Sequence, residues 1–208
     1  MVQKSFGNVY CVGRNYVSFA NEMGNLVTDR PIIFLKPTHS IEMMNGNDIP
    51  FNGDKGEFNC EAEIVLHIGR PYEKGIHVHE LIDKITLGID FTYREVLNEM
   101  KKEGKPWLPA KGLLGTTALG GFLLFSDKIL EQDFKLVLNG ETLQVGNVKN
   151  MIFPLQTLVN FIGENYGLGE GDLIFTGTPK GIGKINDNDS LLVQWGKQTV
   201  GACKMLKK

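Results

Sequence analysis

The sequence predicts an α+β chain that is mostly β, and three observations predict it. Glycine is abundant, at 25 of 208 residues. Short β-branched and aromatic runs recur between turn residues. Only a few stretches carry the i, i+3, i+4 spacing of a buried helix face. Gly-rich joints between strands favour rolled or barrel-like packing over a βαβ wind.

The elements follow in chain order. Strands are expected at 9–12, 32–35, 61–68, 85–91, 121–124, 135–138, 173–176 and 191–195. In the run EAEIVLHI, Ile64, Val65, Leu66 and Ile68 are apolar on both faces, which marks a central strand. Asn139-Gly140 inside LVLNGETLQVG is the strongest short hairpin signal. A short helix is expected at 16–23. Thr92-Tyr-Arg-Glu95 fits a capping box that opens a second helix, which Gly104 and Pro106 stop. A third helix is expected at 155–164, where Leu155, Leu158, Val159 and Ile162 recur at helical spacing.

Composition bounds the function. A chain of 208 residues, 42% hydrophobic, can bury a substantial core. No repeat or long linker divides it, so one catalytic domain is expected over 1–208, with its core at about 8–206. Net charge is −2, from 22 basic and 24 acidic residues. That balance offers nothing to nucleic acid or to a membrane surface. No apolar run reaches the roughly 18 residues of a membrane span. Cys11, Cys60 and Cys203 are scattered and odd in number, which favours a reducing, cytoplasmic location. No CxxC pair exists to build a zinc ribbon.

The chemistry concentrates in FNCEAEIVLHIGR. Successive strand residues face opposite ways, so Glu61 and Glu63 share a face. Two ionised carboxylates near a core are costly without a cation, although an exposed strand start would tolerate them. Asp90 ends another apolar run, ITLGIDF, and also needs a partner. Three carboxylates from two strands would make an all-oxygen site suited to Mg²⁺, Mn²⁺ or Ca²⁺ and not to zinc.

YCVGRNY at 10–16, PIIFLKP at 31–37, CEAEIVLHIGR at 60–70, IDFTYREV at 89–96, GKPWLPAK at 104–111 and GDLIFTGTPKGIG at 171–183 occur in this order. Together they resemble the short, single-domain branch of the fumarylacetoacetate hydrolase family. The resemblance implies a β-rich fold of packed, rolled sheets, usually a homodimer, with Mg²⁺ or Mn²⁺ in an acidic cleft. It implies substrates that are small 2-oxo acids: acylpyruvates, oxaloacetate or hydroxymuconate-type compounds. Members hydrolyse, decarboxylate or isomerise them. The family's metal triad falls on Glu61, Glu63 and Asp90, and Lys111 resembles its active-site lysine. Lys36 ends the apolar run IIFL, where simple solvation is poor, and is a second candidate for the substrate oxygens. Arg14 could clamp a carboxylate bidentately. Thr178 could donate its hydroxyl or N–H to the substrate. Arg94 lies near Asp90 in sequence and is read as a supporting residue that either orients Asp90 or pairs with the helix of Glu95.

The pattern breaks at one place. Hydrolytic relatives carry a His three residues before a Glu after the GRNY motif; here Glu22 keeps the acid and Phe19 replaces the histidine. Phenylalanine cannot take a proton, so water activation loses its histidine, unless Glu22 acts alone as the catalytic base with its carboxyl raised by the neighbouring phenylalanine. Decarboxylation and tautomerisation need only enolate stabilisation and survive better. A non-catalytic relative that binds metal and oxoacid is the alternative. His39, His67, His77 and His79 do not repair the loss. GTPKGIGKI lacks the first glycine and the final Ser/Thr of a phosphate loop. His77 and His79 have no third soft ligand, and the KMLKK tail reads as a solvated terminus.

Overall fold

The computed structural model describes residues 6–17 and 28–208. With strands numbered along the chain, the largest sheet has eight. Its order is β2 (Ile32–Lys36), β1 (Val9–Gly13), β13 (Leu173–Phe175), β6 (Ala62–Ile68), β7 (Ile82–Asp90), β9 (Thr117–Leu119) and β3 (Ile41–Met43), and β10 (Leu123–Leu124) also pairs with β7. The two edges of this path, β2 and β3, are joined only by Pro37 and the 3₁₀ turn Thr38–Ser40. A connection that short forces the sheet to curl into a half-barrel. Ser40 Oγ and Thr117 Oγ1, 2.6 Å apart, tie that corner to β9.

A second sheet runs β12 (Glu141–Gly146), β11 (Phe134–Leu138), β15 (Ser190–Trp195), β16 (Gln198–Lys207), β4 (Asn45–Phe51). A third is small: β14 (Gly183–Lys184), β5 (Phe58–Cys60), β8 (Thr92–Tyr93). One buried apolar cluster runs from Ile64 and Leu66 through Phe91 to Phe134, Val193 and Met205, bonding the sheets face to face. The described helices are short: α1 (Val78–Leu81), α2 (Arg94–Lys102), α3 (Leu108–Lys111), α4 (Asp127–Leu130) and α5 (Leu155–Asn165). This is the mostly β, α+β architecture that the sequence predicts.

All seven residues of β6 are buried, as a run apolar on both faces requires. The hairpin turns at Asn139 (φ 51°) and Gly140 (φ 85°), the two positive φ angles of a type I′ turn. Helix α5 buries Leu155, Leu158, Val159 and Ile162, the expected stripe.

Four readings are corrected. The capping box does not form: Thr92 lies in β8, and α2 starts at Arg94 without a side-chain cap. Thr92 Oγ1 instead reaches Glu61 Oε2 (3.4 Å), and Glu95 accepts from the Glu57 N–H, so long-range partners win over the local motif. The strand expected at 121–124 shrinks to Leu123–Leu124. The KMLKK tail is not a free terminus: it extends β16, with Met205 fully buried while the lysines stay solvated. β3 and β4 also appear, β4 where Asn45, Gly46, Asn47 and Asp48 have a turn-like composition. The helix expected at 16–23 lies, beyond Tyr16 and Val17, outside the described residues; Tyr16 itself forms a bridge with Met151.

Candidate functional site

Strand pairing brings the acids together. β6 and β7 are antiparallel, with Ala62 opposite Ile89 and Glu63 opposite Gly88. Just before β6, the Glu61 carbonyl accepts the Asp90 N–H at 2.8 Å. Beyond β13 the chain runs back along β6: Thr176 N–H and Oγ1 both donate to the Ile64 carbonyl, and Thr178 Oγ1 donates to the Ala62 carbonyl at 2.9 Å. Between them, Gly177 donates its N–H to Glu63 Oε2 at 2.7 Å. Gly177 has φ 97°, and a Cβ there would lie 2.7 Å from the Asn15 Cβ, so only glycine fits.

One oxygen from each of Glu61, Glu63 and Asp90 lies within 4.8 Å of the others, and all three residues are buried. A point equidistant from three atoms at that spacing is about 2.8 Å from each, against roughly 2.3–2.6 Å for Ca–O and 2.0–2.1 Å for Mg–O bonds. A small closure of the side chains therefore lets one hard cation touch all three, so the residues present fit such an ion.

Three cations already face these acids. Lys111 Nζ donates to Glu61 Oε2 (2.6 Å) and Asp90 Oδ2 (2.5 Å). Lys36 Nζ donates to Asp90 Oδ1 (2.5 Å) and to the Phe91 carbonyl (3.2 Å). Arg94 Nη2 donates to Glu61 Oε1 (2.7 Å), and its Nε donates to Asn59 Oδ1 (3.0 Å). The expectation that these acids need a cation beside them is met by side chains at two of the three: Lys36, Lys111 and Arg94 pair with Glu61 and Asp90, and none of them pairs with Glu63. Burial would raise the Glu61 carboxyl, but Lys111 and Arg94 outweigh it and hold it at about 2. Lys111 is itself held above the ordinary lysine value, because Asp90 and Glu61 outweigh its burial. Lys36 is lowered, since burial outweighs its attraction to Asp90. Glu63 differs from its neighbours. Burial and then the Asp90 charge push its carboxyl well up, and it accepts a hydrogen bond from the Gly177 N–H rather than from a cationic side chain. It is the one acid of the three whose ionisation calls for a further positive charge.

A cavity opens over this cluster. It is lined by Glu61, Glu63 and Asp90 together with Arg14, Phe34, Arg94, Leu97, Lys101, Trp107, Lys111 and Thr178. It is small, with about 50 Å³ open to the centres of water-sized atoms, and it opens to solvent. The structure thus brings Arg14, Thr178, Lys111, Arg94 and the three acids to one place. Arg14 projects from a backbone at φ 61°, anchored by Asn15, which bonds the Phe153 N–H and carbonyl and the Thr176 carbonyl. The Thr178 hydroxyl is occupied: it donates to Ala62 and accepts from Gln144 Nε2 (3.0 Å). Lys36 is fully buried against Asp90 and does not line the cavity. Glu22 and Phe19 lie outside the described residues. His39 is exposed and absent from the lining, and His67 is paired with Asp83 (2.5 Å). Sequence reasoning missed three contributors. The Gly177 N–H was legible as a glycine inside TGTP. Trp107 and Lys101 line the cavity too, and Lys101 stands seven residues after Arg94, on the same helix face.

Residues 8–204 match the family described as the fumarylacetoacetate (FAA) hydrolase C-terminal domain. The chain is 37% identical to the mitochondrial oxaloacetate tautomerase of Arabidopsis thaliana, covering 89% of this chain and 86% of that one. It is 32% identical to the oxaloacetate tautomerase of Escherichia coli, with the same coverage. In three dimensions it resembles a fumarylpyruvate hydrolase from Pseudomonas aeruginosa solved with Mn²⁺ and pyruvate. That match has a TM-score of 0.88 and 25% identity, over 98% of this chain and 91% of that one.

The relatives also overturn the cytoplasmic expectation. The plant protein and its rat, mouse and human counterparts are mitochondrial. Scattered free thiols report a reducing environment, and that is not an address. Among the described residues, no helix is long and apolar enough to cross a membrane.

Proposed function

The chain belongs to the fumarylacetoacetate hydrolase family, and from that membership and the cavity chemistry we propose that it tautomerises or decarboxylates small 2-oxo acids, oxaloacetate foremost. The observation that carries the reading is the cluster of three buried carboxylates, with oxygens within 4.8 Å, at the floor of a cavity also lined by Lys111 and Arg14. Glu61, Glu63 and Asp90 would hold the divalent cation, Mg²⁺ or Mn²⁺. When bound, that cation supplies Lewis-acid polarisation of a chelating 2-oxo acid.

The protein's own groups do the rest. Lys111 Nζ, buried between Glu61 and Asp90, places a fixed positive charge where negative charge develops on an enolate oxygen. Lys36, behind Asp90, fixes the orientation of that carboxylate through a buried ion pair. Arg94 does the same for Glu61. Arg14 receives a substrate carboxylate at the cavity wall. Thr178 shapes that wall, its hydroxyl held by Ala62 and Gln144. Glu22 moves the proton. Phe34 and Trp107, with ring centroids 5.4 Å apart, give the cavity an apolar wall that limits water.

Phe19 supports tautomerisation or decarboxylation over acylpyruvate hydrolysis, since neither needs an activated water. The whole chain acts as one catalytic unit and pairs as a homodimer. Leu35 and Leu108, each about half exposed beside one surface groove, offer apolar area that a second copy would cover. Oxaloacetate keto–enol exchange, followed by enol absorbance, tests the reading. The expected result is catalysis with Mg²⁺ or Mn²⁺ that stops with chelator and is lost in Glu63→Gln. Equal rates with and without chelator would refute it.

A further inference from the structure

Five cationic side chains surround the acidic cluster, and two of them have no acid to answer. Lys36, Lys111 and Arg94 are committed to Glu61 and Asp90. Arg14 and Lys101 line the same cavity, and neither has an ion-pair partner among the described residues. Lys101 is placed there by helix geometry. Arg94, Leu97 and Lys101 fall at i, i+3 and i+7 of α2, so they share one face, and all three line the cavity. Arg94 sits at the floor beside Glu61; Lys101, two turns on, sits at the rim. It is exposed, so a ligand can reach it.

The side chain is also held. Lys101 Nζ lies 5.2 Å from the Trp107 ring centroid, and Trp107 is itself braced by Phe34. A solvated lysine samples many rotamers; one resting on a packed indole is pre-oriented. The field it feels is positive. Partial desolvation, then repulsion from Arg14, Arg94 and Lys111, lowers its pKa to about 8, with Glu61 opposing. At neutral pH the group is still mostly charged, in a place where an anion is wanted.

We propose that Lys101, with Arg14 beside it, forms a rim subsite that receives the second carboxylate of a dicarboxylic 2-oxo acid and so selects diacids over monoacids. The inference rests on the proposed function for the head-group end of the ligand and adds the residue that reads its far end. Charge balance supports it. Lys36, Lys111 and Arg94 equal the three acids in number of charges, although they pair only with Glu61 and Asp90. A divalent ion with Arg14 and Lys101 then leaves a surplus that a dianion offsets better than a monoanion does.

Calorimetric titration with pyruvate and with freshly prepared oxaloacetate tests the subsite, because the two share a head group and differ in the distal carboxylate. Lys101→Met should weaken oxaloacetate by about tenfold and leave pyruvate within about twofold. Lys101→Arg should keep most of the preference. Unchanged oxaloacetate affinity in Lys101→Met, an equal loss for both acids, or an arginine variant as weak as the methionine one would overturn the assignment. Dependence of pyruvate binding on Mg²⁺ tests the proposed function separately. The oxaloacetate-to-pyruvate ratio is read with and without the metal, so the two failures are distinguishable.

Discussion

Replacing Lys36 by methionine keeps the length of the side chain and removes its charge. Lys36 has no exposed side-chain surface, and its partner Asp90 is 1% exposed. Solvent cannot screen the pair or compensate its loss. In the variant, Asp90 retains only Lys111, and the Phe91 carbonyl loses its Lys36 donor. Removing one partner of a buried pair costs about 3–5 kcal/mol. For a chain of this size each kcal/mol moves Tm by roughly 2–4 °C, so the metal-free variant should melt about 6–20 °C below wild type. Thermal unfolding by circular dichroism in chelator measures this. Adding Mn²⁺ should raise the Tm of Lys36→Met more than that of wild type, because the ion restores positive charge beside Asp90. Lys36→Met/Asp90→Asn should recover part of the loss, since no unpaired buried charge remains. A metal-free Tm within about 2 °C of wild type would mean that Lys36 does not hold Asp90 as described.

Lys111→Met should lower oxaloacetate turnover by about 10²–10³, the scale of losing one group that stabilises the transition-state charge; turnover within twofold of wild type would remove Lys111 from the mechanism. Gly177→Ala forces a side chain into a position at φ 97° and against Asn15, so the N–H swings away from Glu63. Stability should fall by about 1–3 kcal/mol and Mn²⁺ affinity should drop with it, by denaturant melts and metal titration; a folded variant with native affinity would show that the Glu63 contact is dispensable. Phe19→His should raise acylpyruvate hydrolysis toward the roughly 10²–10⁴ that a general base contributes. A folded variant with no gain in a fixed-time acetylpyruvate assay would show that the missing imidazole is not what limits hydrolysis.

The sequence makes some of this visible for clear physical reasons. EAEIVLHI is apolar on both faces and can only be a central strand, and Asn139-Gly140 names its own turn. The three acids are legible because carboxylates beside apolar strands demand partners. What stays hidden depends on long-range pairing. Nothing local says that Lys36 meets Asp90, since that contact exists only because a curled sheet brings β2 beside β7. The same holds for Arg94, which reads as a partner for Asp90 but binds Glu61 across the third sheet. The Thr92–Glu95 capping box fails because Glu61 and Glu57 compete for its members. β4 reads as turn, with Asn45, Gly46, Asn47 and Asp48 exposed at a sheet edge, and its pairing to β16 is parallel and distant in sequence. Lys101 looks like an ordinary solvated lysine until helix periodicity lines it up with Arg94.

Manganese titration of the metal-stripped protein, followed by electron paramagnetic resonance, goes straight to the acidic cluster. One Mn²⁺ per chain should bind in wild type, and Glu63→Gln, which leaves the Lys36, Lys111 and Arg94 pairs in place, should abolish or severely weaken it. Wild type that takes up no ion, or a Glu63→Gln variant that binds as tightly as wild type, would contradict a cation held by Glu61, Glu63 and Asp90.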